Sequence, residues 1–199
     1  MELTAFLNAF TGFFVIVDPI GTALIFHALV PETDRRHRVV MAVKATLISV
    51  TLLVIFGNFG ETFLNSLGIN INALRISGGL LLFFTAFNLI TSQIKLGQSD
   101  EKKDISVYPL SIPLLAGPGA LTLSILLFSN AQTTTQEVSV LMAVFCIYGL
   151  TLVLMLLSKY VKKVIGRTGD EILRRFLGVI LAALAIQFIY DGFVNMMAA

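Results

Sequence analysis

Two short stretches hold most of the chemically distinctive residues of this chain: Asp18-Pro19-Ile20-Gly21-Thr22 and Gly117-Pro118-Gly119-Ala120-Leu121-Thr122. Proline has no N–H to donate and its ring clashes with the preceding helical turn, while a neighbouring glycine loosens the backbone. Each stretch therefore interrupts a helix, and each also reads as the start of a new one. Asp18 is a favoured N-cap and Pro19 a favoured first helical residue; Gly117-Pro118 repeats that order more weakly. The first amides of a helix carry partial positive charge and hold anionic groups. Such a pair of starts suits a solute bearing a carboxylate, with Thr22, Thr122 and Ser124 supplying hydroxyls. Three roles are open to Asp18: capping its own helix, holding a substrate ammonium, or carrying a coupling proton.

The elements that position these stretches are apolar. Of 199 residues, 56% are hydrophobic and 13% charged, with a mean hydropathy of +0.89. A soluble domain carries roughly 25% charged residues, so this chain cannot coat a globular surface with charge. It reads as an integral membrane protein. One cysteine, Cys146, excludes an intrachain disulfide framework, and the composition excludes disorder. Cys146 itself reads as a small buried apolar side chain.

Long runs lack any charge, among them Leu3–Val17, Pro19–Pro31, Ala45–Gly60, Ile76–Ile94, Ile105–Gln136, Val138–Ser158 and Phe176–Tyr190. About 20 apolar residues cross a hydrocarbon core of about 30 Å as a helix. Six spans are expected, at about 4–30, 39–59, 69–93, 107–128, 138–158 and 172–197. The runs do not alternate with the period of barrel strands. Arg35, Arg36 and Arg38, then Lys95, Lys102 and Lys103, then Lys159, Lys162, Lys163 and Arg167 fall in alternate loops. The positive-inside rule puts these loops in the cytoplasm and both termini outside. Glu2 and Asp18-Pro19 argue against a cleaved signal peptide.

Sliding the chain over itself by 99 residues sets Pro19 on Pro118, Arg75 on Arg174 and Gly79 on Gly178. Leu74, Leu82, Ala86 and Ile90 then meet Leu173, Leu181, Ala185 and Ile189, and Asn88 meets Gln187. Two repeats are expected, 1–95 and 105–199, joined by a cytoplasmic linker at 96–104. Each has three spans, so the second enters the membrane from the opposite side. The expected fold is all-α: six transmembrane helices forming two inverted three-helix repeats in one membrane domain, with the first and fourth helices discontinuous. The competing reading is six unrelated helices with an accidental register and two proline kinks that serve packing alone.

Other polar residues read more simply. Lys44 and Arg75 snorkel to headgroups, and Asp191 faces water or pairs with a neighbour. Asn88 and Gln187 either bond across helices or line a cavity. Ser77-Gly78-Gly79 and the alanines 182, 183 and 185 form small faces for close helix contact. His27 and His37 lack metal-ligand spacing with any Cys, Asp or Glu, so neither a metal nor another cofactor is expected.

Asp18-Pro19-Ile20-Gly21, Ile76-Ser77-Gly78-Gly79, the segment Pro113 to Ala120 and Gln187-Phe188-Ile189-Tyr190-Asp191-Gly192 resemble the MarC family of small prokaryotic inner-membrane proteins. The resemblance spans the whole chain and implies about six spans and transport of small neutral amino acids such as glycine and alanine. Where that family often carries a second proline after its first motif, this chain has Thr22-Ala23-Leu24.

The function expected is secondary transport of such zwitterions by alternating access. The substrate would sit at the two half-helix starts, against Asp18, Pro19, Gly21 and Thr22 on one side and Gly117, Pro118, Gly119, Ala120 and Thr122 on the other. The alternative is a channel, or an exporter of another small metabolite. No His-Glu-x-x-His, Gly-x-Ser-x-Gly or Cys-x-x-Cys pattern supports an enzyme, and nothing supports nucleic-acid binding. The expected partners are an amino acid, a coupling proton or sodium ion, and membrane lipid, with a homo-oligomer left open.

Overall fold

The computed structural model describes residues 2–30, 35–91, 111 and 115–197. Among them every regular element is a helix: α1 (Leu3–Val17), α2 (Pro19–Leu29), α3 (Arg35–Ser66), α4 (Ile71–Thr91), α5 (Pro118–Ser129), α6 (Thr134–Leu156) and α7 (Ser158–Met197). Five apolar stretches are long enough to cross a bilayer: Leu3–His27, Arg35–Ser66, Ile71–Asn88, Thr134–Leu156 and Arg175–Met197. The first runs through α1 into α2. The 12 residues of α5 rise about 18 Å, roughly half of a membrane. Most of the first half of the expected fourth span, and all of the linker 96–104, lie outside the described residues.

Each long helix buries one stripe and keeps apolar side chains on the rest of its surface. On α3 the buried stripe runs Arg38, Met41, Ala42, Ala45, Thr46, Ser49, Leu53, Gly57 and Gly60, while Leu47, Phe59 and Phe63 are more than half exposed. A helix that is apolar all round belongs in a large core or in lipid. Exposed apolar side chains on several such helices fit lipid as the surrounding.

α1 and α2 pack against α6 and α7, α5 packs against α3 and α4, and α4 lies along α7. Small residues set the α4–α7 spacing. A Cβ on Gly79 would stand 2.7 Å from the Ala185 carbonyl oxygen, and one on Gly192 would stand 2.8 Å from that of Asn72. Farther along the same two helices Leu82, Ala86, Leu181 and Ala185 form a separate buried cluster. A larger core gathers Phe13, Val17, Phe26, Ala45, Leu53, Leu115, Ala120, Val144 and Tyr148 from the other helices.

At one end of the bundle the Glu2 amide donates to Ser139 Oγ at 2.8 Å, and Arg75 reaches Asn130 Oδ1 at 3.4 Å. At the other, Arg38 reaches Ser158. Three sequence expectations change. Residues 159–165, read as the start of a basic loop, are helical up to a non-helical Gly166 with φ 64°. Cys146 is exposed rather than buried, because its register on α6 points it out of the bundle, where lipid supplies the apolar surroundings. Gln187 Nε2 donates to Asp191 Oδ1 at 2.7 Å, one turn along its own helix. An i, i+4 partner lies closer than any neighbouring helix.

Candidate functional site

Asp18 separates α1 from α2 by itself. Its φ of 44° and ψ of 73° are left-handed, and no other non-glycine residue described has positive φ. The backbone still completes both helices: the Asp18 N–H donates to Phe14 O at 3.1 Å, and Asp18 O accepts from the Thr22 N–H at 2.8 Å. Left-handed geometry costs a residue with a Cβ about 1–2 kcal/mol. Two side-chain bonds offset it. Gly21 N–H donates to Asp18 Oδ1 at 2.9 Å, and Thr22 Oγ1 donates to Val17 O at 2.8 Å. An N-cap bond of this kind contributes about 1 kcal/mol. Pro19, at the first helical position, has no N–H left to satisfy. Gly21 lets the carboxylate fold down, since a Cβ there would stand 2.0 Å from Asp18 Oδ2.

The second break is wider. Gly117, with φ −71° and ψ 168°, is extended and precedes Pro118, and as N-cap it supplies no side-chain bond to the start of α5. Upstream, the Ala116 N–H donates to Ser111 O at 2.7 Å, one residue beyond ordinary α spacing. The Leu115 carbonyl is taken by the Tyr148 hydroxyl at 2.5 Å. Thus α2 starts beneath its own carboxylate, whereas among the described residues α5 presents the positive end of its dipole without a side-chain anion.

The two breaks share one core. Val17, Leu115, Ala116 and Ala120 are all at most 2% exposed and belong to the same cluster. α1 passes α5 in the opposite direction: a Cβ on Gly12 would stand 3.0 Å from Leu123 Cδ2, and one on Gly119 would stand 3.6 Å from Ile16 Cγ2. Ile16, two residues before Asp18, therefore faces the first turn of α5.

The hydroxyls expected at this site are distributed. Thr22 turns back onto Val17, and Ser124 Oγ donates to Leu53 O on α3 at 2.8 Å. Thr122 faces α4, its Oγ1 2.6 Å from where a Gly78 Cβ would stand. It also borders a cavity of about 230 Å³ between α3, α4 and α5, lined by Phe56, Phe63, Ser77, Leu81 and Leu121 among others. Asp18, Pro19, Gly21 and Thr22 come together at the first break, and Gly117, Gly119 and Ala120 at the second, along with the backbone of Pro118.

Tyr148 and Arg38 escaped sequence reasoning. Tyr148 is 1% exposed in an otherwise apolar stretch, and a buried tyrosine hydroxyl demands a partner. Arg38 reads as a loop charge, yet it lies four and seven residues before Ala42 and Ala45, on the buried stripe of α3.

Apolar helices of this length, with a bundle core that closes around two helix starts, define a polytopic integral membrane protein. The sequence matches the family described as MarC family integral membrane protein over residues 3–197. The chain belongs to the MarC family. It is 32% identical to a UPF0056 membrane protein of Archaeoglobus fulgidus, covering 96% of this chain and 92% of that one. It is 30% identical to a UPF0056 membrane protein of Aquifex aeolicus, covering 96% and 94%, and 31% identical to the UPF0056 membrane protein YvbG of Bacillus subtilis, covering 98% and 97%. No solved structure matches this chain.

Proposed function

We propose that this protein is a secondary transporter of small neutral amino acids of the glycine or alanine type, and not an enzyme. It works by alternating access between two inverted three-span repeats. The observation that carries the reading is the unequal pair of helix starts in one buried core. Asp18 supplies a carboxylate for a substrate ammonium, and the start of α5, without a side-chain cap, supplies amides for a substrate carboxylate. A zwitterion complements both.

The repeat has support beyond composition. α2 and α5 begin at Pro19 and Pro118, and α3 and α6 at Arg35 and Thr134, each pair 99 residues apart. The packing keeps its pattern when the halves are exchanged: α2 on α6 answers α5 on α3, and α2 on α7 answers α5 on α4. The separate cluster consists of Leu82 with Leu181 and Ala86 with Ala185, residues related by that same shift. With three spans per half, such a relation is a two-fold axis in the membrane plane, as in inverted-repeat transporters. The basic loops then lie in the cytoplasm and both termini outside, in the inner membrane.

The buried surroundings of both breaks favour a carrier over an open channel. Uptake of labelled glycine and alanine into proteoliposomes tests the reading. Saturable flux above that of empty liposomes supports it; flux equal to theirs under both proton and substrate gradients overturns it.

A further inference from the structure

Arg38 is 9% exposed, and its guanidinium joins three helices. One nitrogen donates to the Val30 carbonyl at 2.8 Å, at the C-terminal cap of α2, and another to Ser158 Oγ at 2.6 Å, the first residue of α7. The group also lies over the Phe26 ring, 5.2 Å from its centroid. A cation at a helix C-terminus complements the dipole there, and the aromatic face adds a second attraction. α2 and α7 belong to opposite halves of the proposed repeat, so this one side chain fastens one half to the other at the basic end. Its counterpart 99 residues on is Glu137, an exposed residue near the start of α6 at the opposite end of the bundle. The opposite end also contains the cavity beside Thr122. The Glu2–Ser139 and Arg75–Asn130 bonds also join the halves there, so each end has its own contacts between halves, and the buried two-bond contact is the one made by Arg38.

We propose that Arg38 is the latch of the cytoplasmic gate: its two bonds hold the inner end of the pathway closed while the outer end is open, and they break when the inner end opens. The inference rests on the alternating-access reading, but its test needs no substrate. In a Cys146→Ser background, which removes the sole native thiol, single cysteines are placed at Ile25, about one turn inside the latch, and at Leu121, beside the cavity. Labelling by a membrane-impermeant thiol reagent is followed from each side.

Arg38→Gln raises the labelling rate at Ile25→Cys from the inner side by about fivefold or more, as expected when a charge-assisted bond is lost. The same substitution lowers the rate at Leu121→Cys from the outer side. Arg38→Lys keeps the charge but not the two-pronged geometry, and falls between. Ser158→Ala removes one acceptor and shifts both rates the same way by less, which keeps the test available should Arg38→Gln misfold. Unchanged rates, or rates that rise together at both reporters as general loosening would make them, overturn the latch. Reciprocal labelling in a protein without amino acid flux sinks the substrate assignment and leaves the latch standing.

Discussion

The carboxylate of Asp18 lies across the α-carbon of Gly21, where an added methyl group would stand 2.0 Å from Oδ2. The contact joins the residue that breaks the first span to the one that lets the break be capped. Gly21→Ala must expel the carboxylate from its cap, losing about 1 kcal/mol from the bond alone, with strain in addition. A lower melting temperature of the purified protein in detergent, followed by circular dichroism, is expected.

Asp18→Asn separates charge from shape. Asparagine tolerates left-handed geometry and caps helices as well as aspartate does. Stability should stay within about 0.5 kcal/mol of the native protein, a typical limit for substitutions that keep such features. Amino acid flux in proteoliposomes should fall at least about tenfold, since one lost charge contact is worth roughly 1.4 kcal/mol or more. Full flux in this variant would leave Asp18 as a cap alone.

Glycines of similar appearance should respond in opposite senses. Gly79→Ala drives a methyl group to 2.7 Å from the Ala185 backbone oxygen, which cannot rotate away. A cost of about 1–3 kcal/mol from overpacking is expected. Gly149→Ala meets nothing within 4 Å on α6, and should stabilise that helix by up to about 1 kcal/mol through propensity. Thermal unfolding of the two variants side by side checks both signs.

Tyr148→Phe keeps the ring and strands the Leu115 carbonyl just before the second break. A buried acceptor left unpaired costs about 1–3 kcal/mol. Tyr160→Phe, at an exposed site, serves as the control and should leave the melting temperature unchanged.

The breaks were legible because proline and glycine act locally: Pro19 and Pro118 announce the starts of α2 and α5 whatever packs around them. The long apolar stretches were legible for the same kind of reason, since hydropathy needs no partner. Tyr148, Arg38 and Cys146 were not. Whether a tyrosine finds a carbonyl 33 residues back, or an arginine at the membrane edge turns inward, depends on which helix faces which. Charge counts placed Arg38 with Arg35 and Arg36, though its helical phase matched the core stripe instead. The extra helical turns at 159–165 were hidden by lysines, which suit a short interfacial helix as well as a loop.

The cluster of Leu82, Ala86, Leu181 and Ala185 has an evolutionary corollary. If the chain descends from a half-length gene that once paired with itself, these positions gathered with their own duplicates in one cluster. There, any change of side chain would have entered the cluster twice, doubling each gain or loss in volume. Leucine and alanine kept in both halves satisfy that condition without a complementary partner.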